Sequence, residues 1–471
     1  VYKRQVHMSS LRLAYCSPLP PAHSGIADYS TGLLAELEPH CAEIRLFQPA
    51  GATVASPLQS RFEVAPLAEL PKWTARDATL YQIGNEPHFH GAIYEMALRE
   101  PGIVVLHEFM LQHLIRGITV DRRRSPEWVG LMRTFYGEWG AVTARRYLRT
   151  GAQRDLWAYP LFEPIVDVSR GVIVHNRTTR DRIQASRPDA AVEIVPHLLL
   201  PESSADPLSQ GDRAALRQRL GIPETALVLG SFGLMSEAKR LEVALVAFAG
   251  LRQRVPDSRF YLVGDTSPFL GLDSLLRGDL GEGVEVTGRL EMESFVDYMQ
   301  AVDIAVNLRF PTGGETSGTA LRLLGLGQTV VVSEIGWLSE IPGDSVVKVP
   351  VGDREEQTLL AALWTLAEEP GLRRALGGNA RRWALEQHAP EWVADRYMQA
   401  IRSLSTREPR RAISWLDHAV SRETPTLPER IVGEVGEALY DLGATEAEDE
   451  ILADTAQALD DLSLGGRSSG A

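Results

Sequence analysis

Residues 307–333 concentrate the groups of this chain that could do chemistry. A run of branched residues ending at Asn307 reads as a buried strand, with Arg309 just past its end. There follow a glycine-bearing polar turn with Glu315, Thr316, Ser317 and Gly318, a short apolar helix with Thr319 inside its mouth, and a second buried strand. The unpaired amides of a helix start favour an anion. A guanidinium beside them suits bidentate contact with phosphate. The pattern reads as a grip on a nucleotide diphosphate, with the Glu315 carboxylate orienting something beside it.

Other chemistry-bearing residues sit where strands should end. Lys239 and Arg240 fall at a helix start, where two cations oppose the helix dipole. A bound diphosphate would remove that conflict; the alternative is two solvated surface cations. Ser24-Gly25 allows close backbone approach at another helix mouth, so Gly25 is a candidate ligand contact or part of an ordinary loop. His107 closes a wholly apolar strand and is expected to face a cleft, there to donate a hydrogen bond or stabilise charge, with Glu108 as its neighbour. Asn85, Glu86 and, more weakly, His175 suit either acceptor hydroxyls or the completion of turns. Gly264 and the run Gly288, Arg289, Leu290 end two further strands and would line a base or ribose pocket. No Gly-x-Gly-x-x-Gly follows a strand and no Walker-type lysine loop occurs, which removes the main support for a dehydrogenase or a kinase. Histidines and carboxylates lack metal-ligand spacing, so neither a metal nor a cofactor is expected.

The elements that must position these residues alternate between apolar strand and amphipathic helix. Strands are expected at 11–15, 43–47, 79–83, 103–106, 171–174 and 192–195, each short, branched and followed by turn residues, as in parallel sheets buried on both faces. A polar run over 201–212 has linker composition, and the pattern restarts with strands at 227–231, 259–263, 284–287, 303–307, 329–333 and 345–349. Leu241, Leu245, Phe248 and Leu251 repeat at helical spacing. Two such series predict an α/β chain of two doubly wound, Rossmann-like parallel sheets facing a central cleft. The expected division is 8–205 for the first Rossmann-like domain, with a helical insertion at 116–157 rich in arginine and tryptophan, and 206–389 for the second. Residues 390–403 are expected to form a helix returning to the first domain, and 404–471 an acidic helical or partly disordered tail. Residues 1–7 precede a plausible start at Met8 and read as extraneous.

At 471 residues the chain exceeds one ordinary core, and 44% hydrophobic with 23% charged residues is a globular composition. The net charge of -14 argues against a nucleic-acid partner. Cys16 and Cys41 alone cannot form a disulfide framework. No apolar run reaches the length of a membrane span and no hydrophobic signal segment stands near the N-terminus, so the expected compartment is the cytoplasm. Arginine interleaved with tryptophan over 116–157 adds an expectation of peripheral association at the inner face of a membrane, against the plainer reading of a helical cover with a charged outer face.

Together these residues resemble retaining glycosyltransferases of family four over roughly residues 10–403, on Ser24-Gly25, His107, Lys239, the Gly314–Gly318 turn, Ser333-Glu-Ile-Gly336 and Glu340-Ile-Pro342. The likeness is greatest to bacterial members with an Asn-Leu-Arg-x-Pro-Thr-x-Gly-Glu-Thr-Ser-Gly signature. It implies the GT-B fold and transfer of a sugar from a UDP- or GDP-sugar to a hydroxyl acceptor, a glycan or lipid-linked glycan, with retained anomeric configuration. By the same likeness, Glu315 would contact the donor sugar's hydroxyls, Lys239 and the amides around Ser317 and Gly318 would hold the diphosphate, Gly25 would lie by the phosphates, and His107 near the reacting carbon. Two departures stand out. Leu323 occupies the place of a second, ribose-binding glutamate, and Leu234 that of an arginine whose charge Arg309 or Arg240 would have to replace. An epimerase of the same fold and a weakly catalytic nucleotide-sugar-binding scaffold are the competing readings.

Overall fold

The computed structural model describes residues 11–408 together with Gln457 and Ala458. The stretch 1–7 and, apart from those two residues, the acidic tail beyond Glu408 lie outside the described residues.

The first domain is a seven-stranded sheet of β1 (Arg12–Cys16), β2 (Glu43–Gln48), β3 (Glu63–Pro66), β4 (Ala78–Ile83), β5 (Ile103–Leu106), β6 (Gly171–Val174) and β7 (Val192–Ile194), in the order β3-β2-β1-β4-β5-β6-β7. The second holds β8 (Val228–Phe232), β9 (Arg259–Val263), β10 (Val284–Gly288), β11 (Ile304–Asn307), β12 (Val330–Ser333) and β13 (Val347–Val349), in the order β10-β9-β8-β11-β12-β13. Every ladder is parallel. This is the expected pair of doubly wound domains, the GT-B architecture. The edge strand β3 was not legible: Glu63 and Pro66 are exposed, so no apolar run marks it.

Each sheet reverses its winding once, between β1 and β4 in the first and between β8 and β11 in the second. Loops at these switch points splay apart and leave a crevice at the carboxyl ends of the strands. The loops after β1, β4, β8 and β11 carry Gly25, Asn85, Lys239 and Glu315.

The arginine-rich insertion forms helices Gln112–Thr119 and Ser125–Thr150, the second kinked at Gly137, where φ is 67°. It buries Trp128, Val129, Met132, Ala141 and Ala144 on the sheet, and Arg122, Arg124, Arg133 and Arg146 face carboxylates at its surface. Among the described residues no helix is long and apolar enough to cross a membrane.

Among the described residues the chain passes between domains twice. The first passage, after β7, reaches the helix Gln210–Arg219, so the polar run turns helical near its end. The second follows His388, whose carbonyl accepts the Leu199 N–H at 2.9 Å. The helix Pro390–Ser405 then packs Val393, Tyr397, Ile401 and Leu404 into the apolar cluster beneath β1, β4 and β5. Gly171 of β6 is a required gap there, because a Cβ would stand 2.5 Å from Leu404. Within the same cluster the hydroxyls of Tyr29 and Tyr397 share a 2.7 Å hydrogen bond. Tyr397→Phe strands the Tyr29 hydroxyl in an apolar core and is expected to destabilise the first domain by about 1–3 kcal/mol. Urea unfolding of wild type and variant checks this; coincident curves would mean the two hydroxyls contribute nothing.

Candidate active site

A cavity of ≈ 320 Å³ lies between the two sheets, lined from the first domain by Gly25, His107 and Glu108 and from the second by Glu315, Thr316, Gly318 and Arg322.

On the first-domain wall, Ser24 caps the helix Gly25–Leu37 by accepting the Ile26 N–H, and a Cβ on Gly25 would meet nothing within 4 Å. Asn85 and Glu86 line the same cavity but already serve the fold. The Asn85 side chain accepts the Leu114 N–H at 3.0 Å, and Glu86 caps the helix Pro87–Arg99 while facing His113. His107 ends β5 as expected: Nδ1 donates to His175 Nε2 at 3.3 Å, and the bare Nε2 lies 2.8 Å from the Gln82 carboxamide. His175 is itself buried and donates from Nδ1 to the Val195 carbonyl. Burial, with His175 and His197 adding, holds His107 well below the usual imidazole range, so it stands in the site as a neutral dipole.

On the facing wall, Glu315 is fixed from three sides. It pairs with the Arg309 guanidinium, accepts the Gly313 N–H at 2.8 Å and the Thr312 hydroxyl at 3.2 Å. Ser317 caps the helix Gly318–Gly325 by accepting the Ala320 N–H at 3.2 Å. Among the described residues the amides of Gly318 and Thr319 have no acceptor, and Gly318 opens onto the cavity. The Lys239 amine donates to the Phe232 carbonyl at 2.5 Å and lies 3.5 Å from Asn307 Oδ1, the oxygen that also faces the Thr319 hydroxyl. The Phe310 N–H donates to the Ala238 carbonyl, fastening the lysine loop to the glutamate turn. Asn307, 3% exposed, keeps its own Nδ2 without a partner beside them.

Several expected residues are committed elsewhere. Arg240 does not join Lys239 at the anion site; it turns to Glu355, a carboxylate 1% exposed that would otherwise be an uncompensated buried charge. Arg309 spends its charge on Glu315. Gly264 and Gly288 bond across their strand ends at 3.1 Å, and a Cβ on Gly264 would stand 2.3 Å from the Gly233 carbonyl, so these glycines allow the loops to cross. Arg289 beyond them is exposed and faces Asp265, while Leu290 packs toward the core. Leu323 is 1% exposed in the core, and it is Arg322 that lines the cavity, its Nη1 3.6 Å from the Cβ position of Gly318. Sequence spacing pointed one residue away from this cation. Among the described residues no three metal-ligating side chains converge.

Lys239 carries a pH signature. Burial, with the Arg309 charge adding, lowers it from 10.5 to about 7. Its burial penalty is therefore complete below pH 7 and is relieved as pH rises toward 10.5, where the unfolded lysine also loses its proton. Lys239→Met is expected to stabilise the protein most at or below pH 7, with the advantage shrinking by pH 9.5, roughly three-quarters of the way through that window. Denaturation midpoints of both proteins across pH 6–9.5 check the sign; an advantage that grows with pH contradicts it.

Residues 225–369 match the family model for glycosyl transferases group 1. D-inositol 3-phosphate glycosyltransferase of Geodermatophilus obscurus is 28% identical over 225 residues, 43% of this chain and 48% of that one. The GDP-mannose-dependent alpha-(1-6)-phosphatidylinositol monomannoside mannosyltransferase of Mycolicibacterium smegmatis is 28% identical over 45% of this chain and 56% of its own length. The chain thus spans about half the length of the curated relatives it matches. Among solved structures, sucrose-phosphate synthase of Thermosynechococcus elongatus superposes with a TM-score of 0.60 at 16% identity, over 84% of this chain and all but 1% of that one, 99% being covered. HepE of Anabaena, in complex with UDP-glucose, gives 0.58 at 16% identity over 83% and 100%.

Proposed function

We propose that this chain, whose residues 225–369 match the model for glycosyl transferases group 1, moves a sugar from a nucleotide-diphosphate sugar to a hydroxyl acceptor with retained anomeric configuration. The observation that carries this reading is the meeting of strand-end loops from both sheets around one cavity, with a carboxylate, a guanidinium and free helix amides on one wall and a neutral histidine on the other.

The diphosphate sits at the mouth of Gly318–Gly325, where Arg322 and the Gly318 and Thr319 amides meet its charge. Lys239 and the Asn307 amide lie within reach of the same mouth through Thr319. Glu315 accepts hydrogen bonds from hydroxyls of the transferred sugar, and Arg309 acts indirectly, by keeping that carboxylate in place. His107, uncharged and held by Gln82 and His175, offers a dipole beside the reacting carbon rather than a proton donor competing for it. The bond from the sugar carbon to the leaving phosphate breaks as the acceptor oxygen bonds on the same face, and the acceptor's proton passes to a phosphate oxygen. No protein nucleophile is needed; the catalytic demand is for orientation and for positive charge around the departing group.

The acceptor is a glycan or lipid-linked glycan hydroxyl; the curated relatives include enzymes named for inositol phosphate and phosphatidylinositol mannoside substrates. Incubating the protein with UDP- and GDP-sugars, with and without acceptors, tests the reading by nucleotide release. Acceptor-dependent release supports transfer; an isomerised donor marks an epimerase, and binding without turnover a scaffold.

A phosphate arriving near Lys239 favours its charged form, so nucleotide binding at pH 8 is expected to take up a proton, up to about one per site. Calorimetry in buffers of different ionisation enthalpy measures that uptake, and Lys239→Met should abolish it. Arg309→Ala should lower turnover by about tenfold or more while affinity for the bare nucleotide changes by less than about threefold. A parallel loss of nucleotide affinity would instead place Arg309 on the phosphates.

A further inference from the structure

We propose that Glu108 is a substrate-binding residue which, together with Glu315 from the opposite domain, brackets one hydroxyl of the transferred sugar and confines the donor to sugars that are neutral at that position. The inference rests on the transferase reading and extends it to donor specificity.

Glu108 follows His107 directly and lines the same cavity. Its Oε1 accepts the Asn85 N–H at 3.2 Å, which turns Oε2 toward the second domain. There Glu108 Oε2 lies 3.1 Å, and Glu315 Oε2 3.3 Å, from the point where a side chain on Gly313 would begin. The two carboxyls thus flank Gly313 from opposite walls and line the same cavity. A side chain at position 313 would crowd both carboxyls, and glycine avoids this.

The two groups do different work. Glu315 is paired with Arg309 and accepts hydrogen bonds. Glu108 has no such partner: burial, with the nearby Glu315 charge adding and the Arg309 charge opposing, pushes its carboxyl up to about 8. The histidines on its own side of the cavity, His107 and His90, are both held neutral by burial. At neutral pH Glu108 therefore keeps a proton, and with Oε1 already accepting, that proton belongs on Oε2. A sugar hydroxyl between the two carboxyls accepts the Glu108 proton and donates to Glu315, whose carboxylate already accepts from Arg309, Thr312 and Gly313. A uronic acid carboxylate there would meet Glu315 charge to charge and could donate nothing.

Calorimetry on the full chain compares bare UDP and GDP with UDP-glucose, GDP-mannose and UDP-glucuronate. For the neutral sugar that binds, the wild type should hold the nucleotide-sugar more tightly than the nucleotide and should reject the glucuronate. Glu108→Ala should weaken that nucleotide-sugar by about tenfold and leave the bare nucleotide unchanged, which also shows the variant to be folded. Glu108→Gln keeps a donor at the same reach and should recover most of the loss. The wild-type preference for the nucleotide-sugar should fade above pH 8, while that of Glu108→Gln should not. The proposal is overturned if Glu108→Ala keeps the wild-type preference, if nucleotide and nucleotide-sugar weaken together, or if glucuronate binds equally well. A wild type that binds no nucleotide of any kind overturns the transferase reading itself.

Discussion

Two glycine carbonyls hold the site together. The Gly313 carbonyl accepts the Phe109 N–H at 2.7 Å, and the Gly314 carbonyl accepts the Asn176 amide and the Thr179 hydroxyl, each at 2.8 Å. All three donors belong to the first domain, at the tips of β5 and β6. Buried donors of this kind are costly to leave unmet, so the loop 312–316 is drawn against the opposite domain. Glycine is needed for the approach. Gly314 has φ of 85°, and a Cβ on it would stand 2.3 Å from the Phe109 ring. Glu340 adds a second clasp: its carboxylate accepts the Arg177 and Thr178 amides at the start of Arg177–Ser186, where the helix dipole favours a negative charge. Glu315 faces His107 and Glu108 because these contacts hold the domains closed around it.

The charges of the cleft follow from the same closure. Narrowing the space between the sheets removes water, which raises the cost of every unpaired charge. The second domain answers by pairing Arg309 with Glu315 and Arg240 with Glu355, and by lowering Lys239 toward neutrality. The first domain answers by keeping His107, His175 and Glu108 uncharged. What remains for an incoming diphosphate is the pair of open helix amides, with Arg322 beside them sharing its charge with Glu202 at 3.4 Å. Such a helix mouth orients the phosphates and leaves the sugar end to be read by hydrogen bonds.

The division of the chain into two parallel sheets was legible because buried parallel strands are continuously apolar, and strand-end glycines and prolines punctuate them. β4, β5, β6, β11 and β12 are fully buried and were read at or within a residue of their bounds. β3, exposed at two of its four positions, carries no such pattern. For the site, position at a strand tip brought out His107, Lys239 and Glu315, since topology alone sends those tips to the cleft. What spacing could not give was the direction of a side chain. Arg240 and Arg309 looked like phosphate ligands because each is a cation beside a helix mouth, yet each is claimed by a carboxylate distant in sequence or brought round by the turn. Leu323 and Arg322 illustrate the same limit. Adjacent residues on a helix diverge by about 100°, so one enters the core and the other the cavity.

The return helix belongs to this site as much as to the fold. Tyr29 packs its ring against His107, His175 and His197, with centroids 5.1, 5.4 and 4.5 Å away, and its hydroxyl bonds to Tyr397 of Pro390–Ser405. His197 lies on the first passage between domains, and its carbonyl accepts from the ring of His388 on the second, at 2.6 Å. The wall that carries His107 is therefore braced by both passages and by the helix that follows the second. Each contact is buried, and the rings interlock at van der Waals distance, so the histidine cannot shift far without displacing Tyr29. A chain that ended at the close of the second sheet would keep every cavity-lining residue and still lose the brace that fixes the neutral imidazole against Glu315 and its loop.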